Sequence, residues 1–351
     1  MAIRDDVVLQ QVTLGRVWQT VDPFLFCVHH DDNYPEADDE LGPCEPLVGR
    51  DIGMDFSGRD GWSMYHGSLV PGFPQHPHRG FETISFMRRG FMDHSDSLGA
   101  AARFGRGDVQ WMTAGGGIVH AEMFPLLNRG ARNETELFQI WINLPSTDKM
   151  VPPHFRMLWS HEIPRHTFLD EAGRPTEVTV VAGELVPGKR APMPPPHSWA
   201  SRPETDVGIY HAVIAPQGSW RLDPAAHPKT IRTVYVFGDG EVRIGGAQVG
   251  DGHGAVVRSD VPIELIDTGA GAEVLILQGR PIGEPIVQYG PFVMNTKAEI
   301  QRAYHEYQET HFGGWPWPTT DPNHGVQPRR FARHVDGRVE EFAVAASTSE
   351  P

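Results

Sequence analysis

His76-Pro77-His78-Arg79-Gly80-Phe81-Glu82 and, further along, Gly117-Ile118-Val119-His120-Ala121-Glu122 decide how this chain is read. In His76/His78 and again in His120/Glu122, two metal-ligating residue types stand two positions apart. On a β-strand that spacing turns both side chains to one face. Two such strands side by side direct three imidazoles and one carboxylate toward one point, which is the donor set of a metal site. Pro77 fixes its own φ and holds His76 extended. Gly115-Gly116-Gly117 lets the backbone turn tightly ahead of His120. A lone strand histidine is most often structural; two same-face pairs argue against that reading here.

The surrounding chain is built of short apolar runs broken by turn residues. Phe81–Met87, Asp108–Met112 and Leu137–Leu144 read as strands, and Pro145 stops the last. Val178–Val181, Gly208–Ile214, Thr233–Phe237, Glu241–Ile244, Gly254–Val257 and Glu273–Leu277 form a second set with the same texture. Strands at this spacing predict antiparallel sandwiches or barrels, hence an all-β fold. With 351 residues, two domains are expected. We place them at 1–150 and 151–314, with a polar extended tail at 315–351. Thr296-Lys297-Ala298-Glu299 is a capping box, and Ile300, Ala303, Tyr304 and Tyr307 follow helical spacing. One helix is therefore expected at 297–310, within the second domain.

Composition excludes some function classes. A formal net charge of −15 argues against direct nucleic-acid binding. No run approaches 18 apolar residues, and Met1–Asp6 has no apolar leader, so no membrane association and a cytoplasmic location are expected. Cys27 and Cys44, the two cysteines, are expected as reduced thiols.

The wording of the two blocks is similar to a known family. His76-Pro77-His78 with Glu82 and Gly90 resembles the first cupin motif, and Gly107 through Gly117-Ile118-Val119-His120 the second. His76–Thr83, Gly107–Gly115 with Ile118–Met123, and Gly283–Thr296 resemble the signature blocks of pirins, over roughly residues 10 to 314. The resemblance implies two face-to-face cupin (jelly-roll-like) β-barrels: a metal-binding one at the amino end and a degenerate one after it. It implies one divalent ion on His76, His78, His120 and Glu122. Fe(II) is named first, with Mn, Ni, Co, Cu or Zn as alternatives. It further implies a quercetin 2,3-dioxygenase-like oxidoreductase, using O₂ to open the ring of a flavonol or related enol. Glu122 then serves as the catalytic base or as a ligand throughout. The alternative is a metal- and redox-sensing regulator that works by binding a protein partner.

Other candidates are weaker. Ordinary cupins use the position of Glu82 as a ligand; the pirin pattern makes it a structural acid instead. His94 reads as a surface turn, with orientation of a ligand from behind as the alternative. His29-His30-Asp31-Asp32 is expected as a polar loop. His227 and His253 have no H-x-H partner, so no metal is expected in the second barrel. Gly238-Asp239-Gly240 reads as a hairpin turn. Gly116, the long segment 51–65 and the tail depart from the commoner pirin pattern, and the segment is placed near the pocket mouth.

Overall fold

Alternating valine, isoleucine and aromatic residues pair into strands because each strand then has one apolar face to bury. In the computed structural model, which describes residues 6–343, 26 strands and one α-helix result. The Met1–Asp5 end of the leader reading and residues 344–351 of the expected tail lie outside the described residues. Among the described residues no helix is long and apolar enough to cross a membrane. The strands group into two compact units.

The unit carrying His76 and His120 comprises His29–Gln139, Ser146–Ser160 and the chain from Glu284 onward. One sheet orders His154–Leu158, Val109–Thr113, Phe81–Arg89, Asn133–Asn143 and Phe24–Tyr34. The other orders Val339–Ala343, Arg329–Arg333, Ala101–Gly105, Phe91–Asp96, Ile118–Met123 and Gly72–His78. Gly72–His78 lies at a sheet edge, where Pro77, which lacks an N–H, interrupts no ladder.

The other unit comprises the chain up to Val28, Ile140–Pro145 and His161–Gly283. A seven-stranded sheet begins with Val8–Thr13, which pairs with His253–Val257, and a four-stranded sheet opposes it. Val178, Val180, Val234, Val236, Val274 and Ile276 from the first sheet meet Trp220, Val242, Ile244 and Leu265 from the second. Each such buried side chain contributes about 1.5–3 kcal/mol. Both units are two-sheet cupin barrels.

The contacts divide the chain differently from a cut at residue 150. The amino-terminal strand belongs to the second barrel. The helix Lys297–Thr310, at its expected bounds with Thr296 as N-cap, belongs to the first. Period and capping identify elements, but strand pairing distant in sequence decides which barrel each joins. The tail is also more than an appendage. Arg329–Arg333 and Val339–Ala343 form a hairpin that extends the sheet at Ala101–Gly105. It buries Phe331 and Ala332, and Arg330 grips the buried Asp108 through two nitrogens. Ending the chain after Gly314 is expected to cost about 2–4 kcal/mol. Calorimetry should show melting lowered by roughly 5–10 °C; an unchanged melt would mean the hairpin adds no stability.

Two smaller expectations are corrected. His29–Asp32 lies on the strand Phe24–Tyr34, not in a loop. His30, Asp32 and Tyr34 turn inward while Asp31 and Asn33 stay exposed, so the polar residues follow the pleat. Gly238-Asp239-Gly240 joins strands of different sheets instead of hairpin partners. Cys27 and Cys44 are both free thiols.

Candidate metal centre

The strands Gly72–His78 and Ile118–Met123 are antiparallel neighbours, and His76 stands directly opposite His120. His78 is two residues on and shares the face of His76. The three ring centroids lie 4.4, 4.7 and 4.9 Å apart. One nitrogen from each ring falls within 4.8 Å of the others. Small side-chain rotations would bring all three to one ion.

The remaining nitrogens say which atoms face that point. His76 Nδ1 lies 2.8 Å from the Pro74 carbonyl, so it carries the proton and leaves Nε2 as the lone pair. His78 Nδ1 lies 3.3 Å from the Pro291 carbonyl with the same consequence. His120 is fully buried, and neither of its nitrogens has a hydrogen-bond partner among the described residues. A buried polar atom without a partner is costly. A cation gathered by the three rings would satisfy it, so the residues present fit a divalent metal.

Burial sets the charge state. It pushes His78 and His120 well below the ordinary imidazole range, and adjacent imidazoles push them further. Burial pulls His76 down from 6.5 to about 4, against the opposing Pro74 hydrogen bond. All three are neutral at pH 7, as ligation requires. In the unfolded chain they protonate near 6.5, whereas in the folded chain they resist. The metal-free protein is therefore expected to hold its full stability above about pH 6.5 and to lose it as pH falls toward about 4. Melting curves in chelator across that window check this; a melting point constant over the window would contradict the buried, neutral histidines.

Glu122 faces the same side as His120, with its Oε2 3.9 Å from His120 Nε2. Its carboxylate is held from the opposite sheet. Ser85 donates to Oε1 at 2.7 Å and Gln139 to Oε2 at 2.8 Å. Burial raises its pKa, although both hydrogen bonds oppose the rise. Glu82 is fully buried on the other sheet and accepts the Thr113 hydroxyl at 2.6 Å. The three histidines thus come together as one donor group, with Glu122 at its border and Glu82 engaged elsewhere.

His94 stands opposite Glu122, its ring 5.6 Å from that of His120. Its Nε2 meets Asp96 at 3.2 Å and its ring stacks on Phe155. Segment 51–65 supplies Phe56 and Tyr65 to an aromatic cluster with Phe73, whose ring lies 6.4 Å from that of His76.

The turn behind His78 is locked. Gly80 has φ +84°, and a Cβ there would lie 2.0 Å from the Val293 carbonyl oxygen. The buried Lys149 donates to the carbonyls of Gly80 and Val293. Arg79 donates to the Gly116 carbonyl and pairs with Glu306 of the helix. Ser85, Gln139 and Lys149 escape sequence reading. Gln139 left a signal, as an amide flanked on both sides by the apolar residues Leu137-Phe138 and Ile140-Trp141-Ile142. Ser85 and Lys149 left none.

Against known proteins, the family model described as "Pirin" matches residues 7–142, and "Pirin C-terminal cupin domain" matches residues 212–313. A Pseudomonas aeruginosa protein named "Putative quercetin 2,3-dioxygenase" is 38% identical over 242 residues, covering 68% of this chain and 80% of its own length. Pirin-1 of Arabidopsis thaliana is 36% identical over 271 residues, covering 70% and 80%. The crystal structure of a quercetin 2,3-dioxygenase from Acinetobacter baumannii superposes with a TM-score of 0.68 at 25% identity, over 89% of this chain and 99% of that one.

Proposed function

This chain belongs to the pirin family, and on that premise we propose that it is a metal-dependent dioxygenase that opens the ring of a flavonol or a related planar enol. The observation that carries the reading is the trio of half-buried His76 and buried His78 and His120, whose nitrogens converge while those of His120 lack any hydrogen-bond partner among the described residues. We assign one divalent ion to these histidines and Glu122, with iron(II) as the first choice for a nitrogen-rich set that includes one carboxylate. When bound, such an ion supplies Lewis acidity toward the enol oxygen and open positions for the substrate and O₂.

The chain's own residues do the rest. The Pro74 and Pro291 carbonyls fix the two Nδ1 protons, so that Nε2 of His76 and of His78 stays available as a donor. Glu122 accepts the proton of the substrate hydroxyl at a carboxylate oxygen. Ser85 and Gln139 hold that carboxylate in place before and after the transfer.

The second barrel carries no counterpart of the two ligand pairs, so one ion per chain is expected. Metal analysis after gel filtration checks this; two tightly held ions per chain would reassign His227 or His253. Oxygen-electrode assays with quercetin test the reaction itself. Protein that binds the metal and consumes no oxygen with any flavonol would favour the regulatory reading, in which the site senses metal or redox state for a protein partner.

A further inference from the structure

The second barrel buries a cation that none of the described carboxylates hydrogen-bonds, although Asp206 and Asp223 stand near it. Arg232 lies on the apolar strand Ile231–Phe237, opposite Gln278. It shares the inward face of Val234 and Val236 and is 2% exposed. Its Nε donates to Gln278 Oε1 at 2.8 Å, and one terminal N–H donates to the Asp223 carbonyl at 3.0 Å. A guanidinium offers five N–H donors, so three have no acceptor among the described residues. Burying a cation without a partner costs several kcal/mol.

The nearby carboxylates are already engaged. Asp206 accepts the His227 amide and the Thr230 hydroxyl and faces Gln278 Nε2 at 3.4 Å. Asp223 is exposed beside Arg221 at 3.6 Å, and Glu184 is paired with Arg190 at 3.3 Å.

Arg232 opens on a cavity of about 140 Å³ that is also lined by Tyr210, Phe168, Trp220 and Leu222. A larger cavity of about 280 Å³ adjoins it through Glu184, Leu185 and Asp206. Tyr210 is 3% exposed, and its hydroxyl bonds to no protein group among the described residues. Phe168 and Trp220 place their rings 5.9 Å apart on the cavity wall. Two unused donors of anion-binding type therefore share a pocket with two aromatic walls. An apolar cavity of about 150 Å³ is large enough to hold a benzene ring.

We propose that this end of the second barrel binds a single-ring aromatic carboxylate. Arg232 and Tyr210 take the carboxylate, and the ring rests against Trp220 and Phe168. A planar, bidentate anion matches the guanidinium fork. The assignment is independent of the reaction at the metal centre.

Titration calorimetry of the full chain with benzoate as probe tests it. Carboxylates also coordinate metals, so the titration is run on metal-loaded protein and repeated after chelation. Saturable one-to-one binding that survives chelation is expected. Benzamide, which has the same shape but no charge, should bind at least tenfold more weakly. Arg232→Met should abolish benzoate binding. Because that variant can fail to fold, Tyr210→Phe is measured beside it; it removes one oxygen and should weaken binding several-fold with an unchanged melting point. Absence of saturable binding, loss of binding on chelation, or equal affinity for benzoate and benzamide overturns the proposal. So does full affinity in Tyr210→Phe, or in Arg232→Met if that variant folds.

Discussion

Changing His120 to alanine is expected to empty the metal centre and abolish oxygen uptake. His120 lies 4.4 and 4.9 Å from the other two rings, centroid to centroid. Neither of its nitrogens makes a hydrogen bond among the described residues. Losing one of three imidazole donors should lower metal affinity more than roughly hundredfold, because loss of an outer-shell partner alone typically costs 10–100-fold. His78→Ala should behave alike, because its Nδ1 proton is already committed to Pro291 and Nε2 is the only donor it can offer. The barrel should survive both changes, since its apolar core elsewhere is untouched. Metal content after gel filtration and oxygen uptake with quercetin are the measurements. Full metal retention in both variants would sink the assignment.

Much of this centre was legible because strand geometry is strictly periodic. Two residues apart means one face, so His76 with His78 and His120 with Glu122 could be paired without coordinates. The register was not legible. That His76 lies opposite His120 follows from a ladder between segments far apart in the chain, with an irregularity between Phe73 and His76. The helix was readable to its termini because capping is local: Thr296 accepts the Glu299 amide, as its capping box requires. The barrel boundaries were not, because Val8–Thr13 finds its partner at His253–Val257.

Interior polar residues are the harder class. The strand Phe81–Met87 is buried on both faces, so alternation cannot single out Ser85 as the residue that reaches Glu122. Gln139 and Arg232 are different. Gln139 interrupts an apolar run and Arg232 stands just ahead of one on its strand, and a buried polar side chain in either place has to be compensated by a partner. Gln139 meets that demand by holding Glu122. Arg232 meets it only in part, with Gln278 and one carbonyl. The tail hairpin went unread because its two short strands lie among prolines and charges, and only docking on Ala101–Gly105 gives them an apolar face to bury.

Glu122→Gln and Glu82→Gln, measured side by side, are expected to part company. A straight strand would put Glu82 roughly 13 Å from His78, while Glu122 is about 6.6 Å along the strand from His120. In the folded chain the Glu122 carboxylate lies 3.9 Å from His120 Nε2, oriented by Ser85 and Gln139. Glu82 takes the Thr113 hydroxyl on the opposite sheet. An amide at 122 removes both the negative charge that would offset a divalent ion and the proton acceptor, so metal binding or turnover should fail. A loss of at least a hundredfold in kcat is expected if the metal is retained, in the range of a missing general base. An amide at 82 still offers an oxygen to Thr113. Its cost should be about 1–2 kcal/mol of stability, with metal content unchanged and the rate lowered only modestly. Metal analysis, melting curves and oxygen uptake on both proteins decide the matter. If Glu82→Gln loses the metal while Glu122→Gln keeps it and turns over, the site uses the general cupin carboxylate. Ser85 and Gln139 would then be holding a structural acid, and the proton acceptor would have to be sought at Glu82.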